Sequence, residues 1–281
     1  MSLIRKIALG TAQFGLDYGI SNHVGQTAEQ EVVKLLNLAH RHKISLLDTA
    51  QAYGNSEEVI GRNHQERFDL VTKINPNPSQ SSAKMLVEES LNRLRVSSLY
   101  GVLFHSADSA FTNLKAYEEL LRLKSAGSIK KVGFSVYKPE ELERLIETFS
   151  MPDLVQVPFS FLDRRFEALL IKLHDKGVEI HSRSTFLQGL LFMNPDDLSP
   201  FFKSVKEYLK LIKKELPCPE GLAGFLLSYV ASRPFIDKVV LGVNNVDQLS
   251  KNISSLPSSF KPLDLIVPEI QEDILLPYLW K

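Results

Sequence analysis

Cysteine is nearly absent from this chain of 281 residues: Cys218 stands alone. One cysteine cannot close an intrachain disulfide, and it supplies no multi-cysteine metal site. Its place in a proline-flanked loop makes it a bystander. Net charge is absent as well, because 33 Lys and Arg balance 33 Asp and Glu. A protein that tracks a phosphate backbone usually carries a basic face, so no nucleic-acid partner is expected. No apolar run approaches the ~18 residues that a membrane span needs. The stretch Met1 to Lys6 lacks a signal-peptide core and leads straight into an apolar strand. No linker rich in Pro, Gly or Ser divides the chain. These absences leave a cytoplasmic enzyme of ordinary composition as the expectation, with 44% apolar and 23% charged residues.

What is there is an alternation of short apolar runs and amphipathic stretches. Strands are expected near 7–11, 44–48, 68–73, 99–104, 131–135, 154–157, 178–182 and 238–242. Helices are expected near 28–42, 56–63, 80–95, 112–126, 138–149, 163–176, 200–214, 219–232 and 245–255. Val32, Val33, Leu35, Leu36, Leu38 and Ala39 form a stripe at helical spacing, with Thr27 as the expected N-cap. Pro139 suits the first turn of a helix, and Gly127 and Gly177 suit helix ends. Eight strand–helix repeats in this length predict an α/β fold, a single (β/α)8 barrel spanning residues 1–281. An open doubly wound sheet would carry a Gly-x-Gly-x-x-Gly turn after its first strand. Gly10-Thr11-Ala12-Gln13-Phe14-Gly15 is not that turn. The Pro/Asp-rich stretch from Met193 to Pro200 is placed to cover the barrel mouth.

In such a barrel the C-terminal strand ends face one pocket. Asp48, Lys73, His105, Ser135, Gln156, Arg183 and Gly242 all fall at or just after strand ends, and Tyr53 follows Asp48 by five residues. Taken singly, Asp48 with Lys73 has the ordinary explanation of a structural ion pair, Tyr53 that of half-buried packing, and His105 that of a helix cap. Jointly they suit proton donation. A phenol is a proton reservoir with a pKa near ~10, which a neighbouring ammonium lowers. Asp48 would hold Lys73 protonated, and His105 would orient a carbonyl oxygen. No side chain supplies hydride, so a nicotinamide cofactor is implied.

These motifs resemble the aldo-keto reductase family. The matching residues are Leu9-Gly10-Thr11, Phe14-Gly15, Asp48-Thr49-Ala50, Tyr53-Gly54, Ser56-Glu57 and Ile60-Gly61. The likeness continues through Val71-Thr72-Lys73, His105, Lys131-Val132-Gly133-Phe134-Ser135, Gln156, Gln188-Gly189-Leu190-Leu191, Gly242, Gln248-Leu249 and Asn252. It implies a barrel that binds NADP(H), with NAD(H) as the other candidate, and reduces aldehydes or ketones. It implies Tyr53 as the acid, assisted by Asp48, Lys73 and His105. It implies a cofactor site that includes Gly10, Thr11, Gly189 and Arg183, with Ser135 and Gln156 on the nicotinamide carboxamide and Gly242, Gln248 and Asn252 at the adenosine end. A monomer is the family default.

Three departures stand out. Val136 replaces the Asn that usually follows the fifth-strand serine. Arg183 stands where the family often stacks an aromatic ring on the nicotinamide. The motif after strand eight has Gly242 and Gln248 where many NADP-dependent members use Lys or Arg, with Lys251 later. Arg183 can stack on a flat ring and disfavour the oxidised, cationic nicotinamide, or it can meet an acidic substrate. The stretch Arg183 to Leu191 resembles members associated with bacterial surface-sugar pathways, which points to a sugar-like carbonyl. The alternative is a cofactor-binding barrel with vestigial catalysis, acting as a sensor or regulatory subunit.

Overall fold

The computed structural model describes residues 3–77, 79, 81–216, 218–257 and 269–280. Eight parallel strands close a barrel in chain order: β1 (Ile7–Gly10), β2 (Leu46–Asp48), β3 (Asp69–Ile74), β4 (Leu99–Phe104), β5 (Ile129–Ser135), β6 (Leu154–Pro158), β7 (Glu179–Arg183) and β8 (Lys238–Gly242). The ring shuts where β1 pairs with β8, from Ile7 opposite Val239 to Gly10 opposite Gly242. The longer helices are α1 (Glu29–Arg41), α2 (Ser56–Asn63), α3 (Ala83–Leu94), α4 (Leu114–Ser125), α5 (Pro139–Phe149), α6 (Glu167–His174), α7 (Lys203–Glu215), α8 (Pro219–Ala231) and α9 (Val246–Ser254).

Most boundaries fall within a few residues of the sequence expectation, and the differences have local causes. The expected start of α3 at residue 80 lies outside the described residues. The helix opens at Ala83, where the Ser82 hydroxyl accepts from the Met85 amide at 3.1 Å. The helix expected from 163 starts only at Glu167, because Ser160 Oγ accepts from the Leu162 and Asp163 amides and holds a turn there. Thr27 does not cap α1. Ala28 is the N-cap, and the Thr27 hydroxyl donates instead to the Asn244 carbonyl at 3.0 Å. Gly127 and Gly177 end helices in the left-handed region as expected, with φ of 83° and 81°.

Strand side chains alternate between the two faces of the sheet, so every second residue enters the barrel. Ala8, Leu46, Val71, Leu103 and Leu154 form one apolar cluster there, with Tyr100 and Val240 packed against it. Two residues further along the same faces stand Gly10, Asp48, Lys73, His105, Gln156 and Gly242. The apolar plug is therefore the floor on which the polar layer rests. A larger apolar core fills the space between strands and helices.

The opposite end of the barrel holds a charged knot. Glu179 accepts from the Tyr100 hydroxyl at 2.7 Å, pairs with His181 Nε2 at 2.6 Å, and bonds the Lys131 ammonium. Burial pushes the Glu179 pKa up, but His181, Lys131 and Tyr100 outweigh it and hold the group at about 2, below the ordinary 4.5. A carboxylate depressed on folding stabilises the protein above its unfolded pKa, and that share is lost as pH falls through the folded one. Thermal melts of Glu179→Gln should therefore show a lower Tm at neutral pH and a shallower decline between pH 4.5 and about 2 than the parent protein. An equally steep decline in both would remove Glu179 as the cause.

Candidate active site

The loop after β2 carries the phenol. Tyr53 is held by a close approach of two backbones. A Cβ on Gly15 would lie 1.8 Å from the Tyr53 carbonyl oxygen, and one on Gly54 would lie 2.3 Å from the Gly15 carbonyl oxygen. Gly54 also sits at φ +54°, in the left-handed region. The neighbouring motif residues build the scaffold. The Ser56 hydroxyl donates to the Thr11 carbonyl at 2.9 Å, and Thr11 Oγ1 donates to the Asp48 carbonyl at 2.9 Å. Buried Glu57 accepts from Thr72 Oγ1 at 2.6 Å and from Arg93 Nε at 2.7 Å. Much of the sequence motif around Tyr53 thus ties the ends of β1, β2 and β3 together.

Lys73 is 1% exposed and Asp48 2% exposed. The Lys73 ammonium donates to Asp48 Oδ2 at 2.7 Å, to the Thr49 carbonyl at 2.9 Å and to the Tyr53 hydroxyl at 3.5 Å. Gln156 Nε2 donates to the second Asp48 oxygen at 2.6 Å, which leaves Gln156 Oε1 buried without a protein partner. Burial lowers the Lys73 pKa, and the Asp48 contact opposes it. His105 packs edge-on to the Tyr53 ring at 5.7 Å, and its Nδ1 is buried without a partner. Burial first, then the charges of Lys73 and Arg183, lower the His105 pKa to about 3, so the ring is neutral near pH 7.

The phenol departs from the sequence expectation. Its pKa is raised, chiefly by burial and then by Asp48, while Arg183 pulls it down. The cation expected to tune Tyr53 was Lys73, but its charge is shared with the carboxylate it grips. Because Tyr53 accepts from Lys73, its own O–H remains free to donate into the cavity beside it.

That cavity has a volume of about 520 Å³, within the range of ligand pockets. Its wall includes Gly10, Thr11, Asp48, Tyr53, Gln156, Arg183, Gly189, Gly242, Gln248 and Asn252 from the expected site. Lys73, His105 and Ser135 are not on the wall; Lys73 and His105 support Tyr53 from behind, and Ser135, 3% exposed, pairs in register with Gln156. The Thr11 hydroxyl is occupied within the protein, between Asp48 and Ser56.

Arg183 finds an aromatic partner that the sequence reading overlooked. Its guanidinium carbon lies 3.8 Å from the centroid of the Tyr137 ring, and Nη2 donates to the Val136 carbonyl at 2.9 Å. No carboxylate pairs with it among the described residues. Its guanidinium therefore stands beside Tyr53 with no salt bridge among the described residues.

Other lining residues were also missed. Gln13 is 8% exposed, with Oε1 unpartnered, and its amide lies against Gly242. The rim is built by Tyr18, whose hydroxyl accepts from Gln188 Nε2 at 3.0 Å, and by Gly189, where a Cβ would strike Ser21 Oγ at 1.8 Å. Gly189 has φ +91° in a left-handed run with Gln188. This corrects the expected cover: the wall takes in residues up to Phe192 from this segment and none from Met193 to Pro200. Among the described residues no cluster of three or more His, Cys, Asp or Glu is placed to hold a metal, and no helix is long and apolar enough to cross a membrane. Cys218 is exposed, and its sulfur accepts from the Gly221 amide at the start of α8.

Comparison with known proteins agrees with this geometry. Residues 6–265 match the model of the Aldo/keto reductase family. An aldo-keto reductase of Mycobacterium sp. (strain KMS) is 30% identical over 192 residues, covering 65% of this chain and 67% of its own length. The aldo-keto reductase YhdN of Bacillus subtilis is 26% identical over 263 residues, covering 83% of this chain and 78% of its own. The holo form of an aldo-keto reductase from Bacillus halodurans superposes with a TM-score of 0.70 at 22% identity, over 92% of this chain and 88% of that one, and shares the fold. The chain belongs to the aldo/keto reductase family of NAD(P)H-dependent oxidoreductases.

Proposed function

We propose that this protein reduces an aldehyde or ketone to the alcohol, with Tyr53 as proton donor. The observation that carries this reading is the Tyr53 hydroxyl, which accepts from Lys73 at 3.5 Å and has its proton free on the cavity wall. A reduced nicotinamide dinucleotide, when bound, supplies the hydride. The residues present suit such a group: Gln156 Oε1 is an unpartnered buried acceptor for a carboxamide N–H, and Gln13 Oε1 is a second one further along the wall. As the carbonyl carbon gains hydride, its oxygen gains negative charge and takes the Tyr53 proton. The Lys73 ammonium, held by Asp48, then faces the phenolate that remains. His105, neutral, packs edge-on to the Tyr53 ring and helps to position its hydroxyl. Arg183 and the walls at Gly10, Gly189, Gly242, Gln248 and Asn252 position the cofactor, and Ser135 supports Gln156 from the adjacent strand.

The test is oxidation of NADH and NADPH with a panel of aldehydes and ketones, sugar-like carbonyls included, with the alcohol identified as product. Tight dinucleotide binding without turnover of any carbonyl would favour the sensor reading.

Arg183 carries a separate prediction. A fixed guanidinium beside the nicotinamide repels the oxidised ring, which is cationic, and leaves the reduced ring unaffected. Arg183→Ala should narrow the affinity gap between reduced and oxidised cofactor by about tenfold, read from dissociation constants of both forms. An unchanged ratio would assign Arg183 to the substrate instead.

A further inference from the structure

We propose that the end of the cavity remote from Tyr53 selects an unphosphorylated adenosine ribose, NADH over NADPH, with Glu220 as the discriminating carboxylate. This rests on the reading of the cavity as a dinucleotide site. Hydride and proton reach adjacent atoms of one carbonyl, so the nicotinamide must lie beside Tyr53. The adenosine then takes the other end, walled by Gly242, Asn244, Gln248, Lys251 and Asn252 and by Glu220 from the start of α8.

A 2′-phosphate is a near-dianion that binds best to Arg, Lys or free backbone amides. Among the described residues of the wall only Arg183 and Lys251 are cationic. Arg183 is committed at the Tyr53 end, against Tyr137 and the Val136 carbonyl. Lys251 is shared between two carboxylates, Asp247 Oδ2 at 3.2 Å and Glu220 Oε1 at 3.7 Å. Two carboxylates against one ammonium leave this corner with a net negative charge.

Three of the backbone amides that could cradle a phosphate are already used. The Asn244 amide donates to Gln248 Oε1 at 2.8 Å, the Gln248 amide donates to Asn245 Oδ1 at 2.9 Å, and the Val246 amide donates to Glu31 Oε1 at 2.9 Å. A third carboxylate thus closes the start of α9. Binding a 2′-phosphate here would require breaking an ion pair and would bring the phosphate close to these carboxylates. A ribose 2′-hydroxyl has the opposite need, since it donates to a carboxylate. Glu220 lies on the wall and is exposed, so it can accept that bond without giving up buried partners.

The experiment is calorimetric titration of the full chain with NADH and with NADPH, at low and high salt, for the parent protein, Glu220→Gln and Asp247→Asn. NADH should bind at least about tenfold tighter to the parent. Glu220→Gln should shrink that ratio by about tenfold, chiefly by tightening NADPH, and raised salt should shrink it in the parent but less in the variant. NADPH binding as tightly as NADH, or tighter, would overturn the inference and leave the reductase reading standing. A parent preference for NADH that Glu220→Gln does not change would overturn the role of Glu220. If neither dinucleotide binds, the dinucleotide reading falls and the inference with it.

Discussion

Replacing Tyr53 with Phe should lower kcat by roughly 10²–10⁴-fold, the usual contribution of a positioned proton donor. Cofactor affinity and Tm should stay near those of the parent. The ring remains to pack against His105 at 5.7 Å, and the Lys73 ammonium keeps Asp48 and the Thr49 carbonyl, so no buried charge is stranded. Only the hydroxyl leaves, with the long 3.5 Å contact it accepts from Lys73. The pH profile adds an independent check. His105 has its pKa lowered to about 3, so kcat/KM in the parent should not bend near pH 6.5, where an ordinary histidine titrates. The phenol is raised above its ordinary value, so the basic limb should lie above pH ~10. Turnover of Tyr53→Phe at parental rates, or an acid limb centred near pH 6.5, would assign proton donation to another group.

Asp48→Asn should be the most destabilising single change at the site. It leaves the Lys73 ammonium buried, 1% exposed, without its counter-charge at 2.7 Å. Removing one partner of such a pair typically costs about 3–5 kcal/mol. For a chain of this size that corresponds to a fall in Tm of roughly 5–10 °C. The double variant Asp48→Asn with Lys73→Met removes both charges and should recover much of the stability, since an apolar replacement of a buried pair is often neutral or better. Activity should not return with it. Thermal denaturation and single-turnover assays of the three proteins separate the two roles. A single variant as stable as the parent would mean that water or another group screens Lys73. A double variant that regains turnover would remove the pair from the chemistry.

Which residues reach the site was largely legible, for a simple reason. Side chains alternate along a strand, and the C-terminal ends of barrel strands share one face. Short apolar runs ending in Asp48, Lys73 and Gln156, with His105 just beyond β4, therefore announce a shared layer, and the structure links three of these through Asp48. What surrounds that layer was less legible. Tyr137 looked like any residue of a strand–helix loop until Arg183 of β7 lay across its ring. Thr27 read as a helix cap but bonds a carbonyl 217 residues away. The covering segment was sought in the Pro/Asp-rich stretch, whereas the rim is made by the left-handed run at Gln188 and Gly189 meeting Ser21.

By itself, then, the sequence determined the barrel, through hydrophobic periodicity, and the cast of the proton-transferring side, through residues close to strand ends. Both are encoded locally. Only the tertiary structure decided how those groups share charge. The Lys73 ammonium is held closely by Asp48 at 2.7 Å and reaches the Tyr53 hydroxyl only at 3.5 Å. Among the described residues no carboxylate pairs with Arg183, and Lys251 is divided between Glu220 and Asp247. Electrostatic character depends on distances between residues far apart in the chain and on how much water is excluded around them. Neither quantity is written in the order of the residues.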